Sequence, residues 1–170
     1  MKKIARVVIA ALLVAGVAAC AKKNVKPPPP VEEVPQSTTT QSVETTGKYT
    51  RDSLDTDSCL RQRVVYFDLD QTMIKPEFQA QIACHAAYLR QFPEARVRLE
   101  GNADERGSRE YNLGLGERRG NAVASALEAA GASSDQIKVV SYGEERPVCR
   151  EHNESCWHQN RRVNIVYTTE

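Results

Sequence analysis

Residues 101–127 read GNADERGSREYNLGLGERRGNAVASAL, and the rest of the chain is read outward from this stretch. It follows Arg96-Val97-Arg98-Leu99-Glu100, whose period-two alternation is that of a half-buried strand. It ends in a run of helical periodicity that closes at Gly131. At ~100° per residue, Leu115, Ala122, Val123, Ala126 and Ala130 share one apolar stripe, and Arg119 falls near its middle. A guanidinium aimed at a core costs several kcal/mol unless it is paired or borders a wet cleft. Asp104, just past the strand, is the nearest candidate partner. From spacing alone an internal Asp104–Arg119 salt bridge that braces the loop is favoured over a shared ligand. An unbroken helix from Ser108 would carry Arg119 ~16 Å along its axis. Sharing one ligand therefore calls for a turn around Tyr111 to Gly114, with the helix restarting near Asn112.

Outside this stretch, Val64 to Leu69 reads as a strand. Pro76 suits a first helical turn, and Phe78, Ile82, Ala86 and Leu89 then recur at helical spacing until Phe92-Pro93. Gln136 to Tyr142 and Val163 to Thr168 read as further strands, separated by a polar loop with a helical turn near His158. The order predicts an α/β domain: a two-layer sandwich with both helices on one face of a mixed four-stranded sheet. No internal repeat is present.

The N-terminus carries a different signal. Lys2, Lys3 and Arg6 precede a short apolar run, Val7 to Val14, and then Val17-Ala18-Ala19-Cys20. The run is too short to be a good membrane span and reads as an export peptide over residues 1–19. It resembles a bacterial lipobox, with Val17 where Leu is usual, which makes Cys20 the lipid-bearing residue. Ala21 follows, with no Asp of the kind that retains lipoproteins on the inner membrane, and this points to the periplasmic face of the outer membrane. Residues 20–57 then form a Pro/Thr-rich tether, with Pro27 to Pro30 and the polar run Gln36 to Thr46. Its ~37 residues after the Cys could span ~100 Å. Residues 58–170 form the folded domain, ~110 residues, enough for one core.

With 23 Lys and Arg against 22 Asp and Glu, bulk charge gives no reason to expect a nucleic-acid partner. In an oxidising compartment Cys59, Cys84, Cys149 and Cys156 read as two disulfides. Cys84 projects away from the Phe78–Leu89 stripe, so a Cys59–Cys84 bridge would pin the segment before the first strand to the outside of the first helix. Cys149 and Cys156 would staple the polar loop. Cys149-x-x-His152-x-x-x-Cys156-x-His158 could alternatively hold zinc, although its spacing is not that of a common finger.

Asn112-x-x-Leu115-Gly116-x-x-Arg119-Gly120-x-x-Val123-x-x-x-Leu127 resembles the peptidoglycan-associating signature of OmpA-like domains. The resemblance extends to Asn102-Ala103-Asp104-Glu105-Arg106-Gly107, to Val140 through Pro147, and to Asn160-Arg161-Arg162. In that detail it is similar to the lipoprotein branch of the family, which acts in Tol–Pal systems. Gly120 stands where the family mostly has Ala, and Gly116 where many members have Ser; each Gly loosens a helix by ~0.5–1 kcal/mol. The resemblance implies that Asp104 and Arg119 clasp diaminopimelate in peptidoglycan stem peptides. Asp104 would accept from the ammonium and Arg119 would fork onto the carboxylate. Asp70 matches a further acidic ligand residue, and Thr72 lies beside it. Asn112 would either bond the ligand carboxylate or cap the helix, and Leu115 would pack beneath the site.

The resemblance further implies a role in envelope integrity and cell division, with TolB meeting the same surface as the wall. Another OmpA-like anchor, serving a motor, secretion or efflux assembly, is the alternative. His85, on the apolar stripe of the first helix, reads as a buried, hydrogen-bonded core residue. Trp157 reads as local packing rather than a sugar platform. Of Arg161 and Arg162, one is expected to brace the sheet and the other to face solvent or cell wall. No catalytic triad order, nucleophile elbow or phosphate loop occurs. Asp70 and Asp104 are two carboxylates, as a glycosidase needs, but nothing else supports hydrolysis. The sequence therefore implies a binding module, not an enzyme, with no cofactor and no metal.

Overall fold

The computed structural model describes residues 47–168. The export peptide, Cys20 and most of the tether lie outside the described residues. The elements run α1 (Ser53–Thr56), β1 (Val64–Tyr66), α2 (Gln79–Gln91), β2 (Arg96–Asn102), α3 (Arg109–Ala129), β3 (Ile137–Gly143), α4 (Glu154–Asn160) and β4 (Arg162–Thr168). The sheet order is β1-β4-β2-β3, antiparallel except for the β2–β3 pair. A parallel pair needs a crossover, and α3 supplies it. This is the two-layer mixed sandwich expected.

The alternation of β2 decides which face is covered. Val97 and Leu99 are buried and meet Val123, Ala124 and Leu127 of α3 and Ile82, Ala86 and Leu89 of α2 in one core. Gly101 continues that face, and there backbone packs against backbone. A Cβ built at Gly101 would lie 1.9 Å from the Gly116 carbonyl oxygen, and one at Gly116 would lie 2.4 Å from Ser141 Oγ. Gly120 is equally confined, 2.5 Å from Val139 Cγ1. The two helix glycines therefore set a close approach of α3 to β2 and β3, which offsets their cost in helix propensity. The buried stripe of α3 is correspondingly Asn112, Leu115, Gly116, Arg119, Gly120, Val123, Ala124 and Leu127. Ala122, Ala126 and Ala130 are only half-buried at its edge.

Three boundaries differ from the sequence reading. First, α3 is one uninterrupted helix from Arg109, and no break occurs near Asn112. Ser108 caps it, its hydroxyl accepting from Tyr111 N–H at 3.2 Å, so Asn112 is not the cap. Second, β1 is only three residues long. Phe67 N–H still donates to Arg161 O at 2.9 Å, and the chain then turns through Leu69 and Asp70, with Gln71 N–H returning to Asp68 O. Third, the last part of the expected tether is folded. Tyr49 is buried with Leu60 and Tyr88, and Gln91 bonds both the N–H and the carbonyl of Tyr49. One aromatic residue in a polar segment found an aromatic cluster on α2, a contact that local composition does not signal.

Both expected disulfides are formed, Cys59–Cys84 and Cys149–Cys156. The first holds the 47–62 segment to the outer side of α2. The second takes both thiols of the zinc alternative, whose histidines have other partners: His152 bonds Glu105 and His158 stacks on Tyr66. His85 is fully buried between Tyr167 Oη and Gln62 O, each at 2.9 Å, and burial lowers its pKa.

Candidate functional site

A cleft of about 330 Å³ opens at the end of β2, between the turn after β1, the loop 103–107 and the first turns of α3. Asp70, Asp104, Asn112, Leu115 and Arg119, five of the residues singled out from sequence, line it. Leu69, Ala103, Arg106, Gly107, Tyr111 and Arg161 complete the lining. Thr72, half-buried two residues beyond Asp70, is not part of it.

Arg119 reaches this cleft without a helix break. Gly116 sits level with Gly101, and Arg119 is one turn further along α3. Helical side chains lean toward the helix N-terminus, so the long arginine side chain reaches back to the strand end. There it is fully buried. Nε donates to Gln71 O at 2.9 Å, Nη1 to Asn102 O at 2.9 Å and Nη2 to Asp68 O at 3.0 Å. The Phe67 ring lies 5.3 Å below the guanidinium. Burial, followed by repulsion from Arg161, lowers its pKa to about 10, which leaves it charged at neutral pH. Three of its five N–H groups are committed to carbonyls, and one on each Nη is uncommitted.

The internal Asp104–Arg119 salt bridge is not formed. Asp104, 4% exposed, is held instead by two other arginines. Arg106 binds it in bidentate fashion, Nε to Oδ1 at 3.1 Å and Nη2 to Oδ2 at 2.7 Å, and its backbone N–H adds a third bond at 3.0 Å. Arg161 Nη1 reaches Oδ2 at 3.1 Å. Burial alone would raise the Asp104 pKa, but the bonds from Arg106 and then Arg161 outweigh it, and the carboxyl titrates below its ordinary value. Arg161 also donates to Phe67 O and Glu154. Arg162 donates to Asn164 Oδ1 and Arg146 O. Both are buried, so neither arginine faces solvent as expected.

The rim is built from the other motif segments. Asn112 donates from Nδ2 to Glu144, and Arg109 pairs with Glu145. Ala103 N–H donates to Gly143 O at 2.8 Å. Asp70 adopts φ +55° and accepts from the Tyr111 hydroxyl across the cleft mouth. Leu69 and Tyr111 remain 52% and 44% exposed there, an apolar lip beside the charged floor. Trp157 packs locally, its Nε1 donating to Glu105 Oε1 at 2.7 Å while the Arg106 guanidinium stacks 4.1 Å above its ring. The role of Arg106 and Arg161 as the partners of Asp104 escaped the sequence reading. Both lie in segments that resemble the family, but no spacing rule indicates which acid each meets.

The sequence and the fold are shared with known proteins. Residues 66–161 match the OmpA family. The chain is 48% identical to the peptidoglycan-associated lipoprotein of Legionella pneumophila over 101 residues, 59% of this chain and 57% of that protein. It is 43% identical to the protein of the same name from Pasteurella multocida over 107 residues, 63% of this chain and 71% of the relative. Similarity therefore spans a little over half to about seven-tenths of these relatives' length. The crystal structure of the peptidoglycan-associated lipoprotein from Burkholderia pseudomallei superposes with a TM-score of 0.67 at 43% identity, covering 68% of this chain and 98% of that one. The C-terminal domain of Helicobacter pylori MotB shares the fold, with a TM-score of 0.58 at 20% identity. None of these relatives bears the name of an enzyme. With its strand-end cleft, its signature helix and these relatives together, the chain belongs to the OmpA family, in the branch of the peptidoglycan-associated lipoproteins.

Proposed function

We propose that this protein is an outer-membrane lipoprotein whose periplasmic domain holds the cell wall non-covalently, by taking the free amino-acid end of diaminopimelate in peptidoglycan stem peptides. The observation that carries this reading is one cleft lined by both a buried, ionised carboxylate, Asp104, and a buried guanidinium with two uncommitted N–H groups, Arg119. A carbon bearing both an ammonium and a carboxylate presents the complementary pair of charges. Asp70 and Asn112 add polar groups to the wall of the cleft, and Leu115 an apolar floor. Cys20 carries the acyl anchor and the following tether spans the gap to the wall. Contacts that are individually weak gain from many copies facing one polymer.

In this reading the protein serves a Tol–Pal-type system in envelope integrity and cell division. TolB meets the apolar lip of Leu69 and Tyr111, so that wall and protein partner exclude one another. Sedimentation with purified sacculi tests the site. The full chain is compared with Asp104→Asn and Arg119→Lys, each first shown by its melting curve to be folded. Loss of co-sedimentation in both supports the clasp; folded variants that pellet like the parent overturn it. Pull-down of Tol components, rather than motor, secretion or efflux proteins, tests the partner.

A further inference from the structure

The carboxylate that is to receive the ligand's ammonium already holds two guanidinium groups, and they are not alike. Arg161 is 3% exposed and is fixed by Phe67 O and Glu154 as well as by Asp104. The Arg106 side chain is 32% exposed, lines the cleft, and covers Asp104 from the open side. Its two bonds to Asp104, at 3.1 and 2.7 Å, use both carboxylate oxygens, so a ligand cation cannot reach that carboxylate with full geometry while they persist. Arg106 also has a second acceptor close by, since its Nη2 lies 3.5 Å from Glu154 Oε2. One acid beside two bases leaves Asp104 still paired, through Arg161, if Arg106 departs.

We propose that Arg106 is a displaceable internal stand-in for the cationic end of the ligand, a positioning residue that keeps Asp104 paired and aimed until an ammonium replaces it. Binding transfers Arg106 from Asp104 toward Glu154, and the ammonium takes the vacated oxygens. Affinity is reduced by the fraction of molecules in which Arg106 is seated, because only the released form is competent. This inference rests on the diaminopimelate reading above and deepens it.

Trp157 provides the readout. It is the only tryptophan in the chain, and Arg106 stacks on it at 4.1 Å while Glu105 holds the indole in place. Departure of Arg106 therefore changes the emission of a single fluorophore. The full chain in detergent is titrated with a soluble muramyl tripeptide ending in meso-diaminopimelate, by calorimetry and by Trp157 fluorescence. The parent is expected to bind with a change in Trp157 emission. Arg106→Gln is expected to bind about tenfold more tightly, the factor if about a tenth of parent molecules have Asp104 free, and to lose the emission change. A merely structural role would not couple those two readouts.

Weaker or unchanged binding by folded Arg106→Gln overturns the proposal, as does saturation of the parent without a change in Trp157 emission. Asp104→Asn separates the two levels. If it binds the tripeptide like the parent, the diaminopimelate reading itself has failed. If it abolishes binding while Arg106→Gln does not tighten it, only the stand-in has failed.

Discussion

Gly101→Ala is the sharpest perturbation of the contact that positions the site. The added Cβ would stand 1.9 Å from the Gly116 carbonyl oxygen and 2.6 Å from its carbonyl carbon. Ordinary C···O contacts lie at ~3.3 Å or more, so α3 and β2 must separate by about 1 Å or more. Both partners are backbone, and no side chain can rotate away. Overpacking of this kind costs about 1–3 kcal/mol, and removing a strand glycine returns only about 0.5–1 kcal/mol. A net loss of about 1–2 kcal/mol corresponds to a fall in Tm of roughly 4–9 °C for a domain of ~110 residues. The same displacement reaches Arg119, one turn beyond Gly116, whose three carbonyl bonds of 2.9–3.0 Å must stretch. Wall binding therefore falls together with stability.

Gly114→Ala is the matched control. It lies in the same helix, but its Cβ would meet only the flexible end of Arg118, at 3.2 Å. It is expected to stabilise by about 0.5–1 kcal/mol, the ordinary helical preference for Ala over Gly. Thermal melts followed by circular dichroism, with sacculus sedimentation on the same samples, measure both effects. A Gly101→Ala protein melting within ~3 °C of the parent, or a Gly114→Ala protein melting well below it, would refute the account of α3 as a helix held by backbone contact.

Removing the Cys59–Cys84 bridge as Cys59→Ser/Cys84→Ser should cost about 3.5 kcal/mol by loop-closure entropy for its separation of 25 residues; denaturant titration at fixed pH reads this, and a loss under ~1 kcal/mol would show that the 47–62 segment is held by Tyr49 and Leu60 instead. Because burial depresses the pKa of folded His85, the unfolded chain holds more protons in the window between the two values. Its contribution to stability is thus present above about pH 6.5 and lost as pH falls through the folded pKa. Melting temperatures measured from pH 8 to pH 5 should fall for the parent and flatten for His85→Gln, and parallel curves would remove His85 as the cause.

The strands and helices were legible because their apolar periods were. Val97 and Leu99 alternate, and Ile82, Ala86 and Leu89 recur at helical spacing, and all five are core residues. Both cysteine pairs followed from export and from the face that Cys84 occupies. Asp104 and Arg119 stood out because a charge was placed where the pattern required apolar side chains, and both do line the cleft. The break near Asn112 was expected because distance was reckoned along the helix axis alone. The lean and length of the arginine side chain, with α3 drawn close over Gly101, close that gap without a break.

What the amino-acid sequence by itself determined, then, is the set of elements, the side each presents to the core and the two charges that line the cleft. What only the tertiary structure decided is the identity of their partners. Arg119 is held by backbone carbonyls, one of them 51 residues away, and every residue has a carbonyl, so no side-chain pattern could announce them. Asp104 had Arg106, Arg161 and Arg119 to choose from, and only the packed positions of the loop 103–107 and of the junction between α4 and β4 selected the first two. Periodicity is a local property of the chain and survives in the sequence; pairing depends on where distant segments come to rest, and exists only once they have packed.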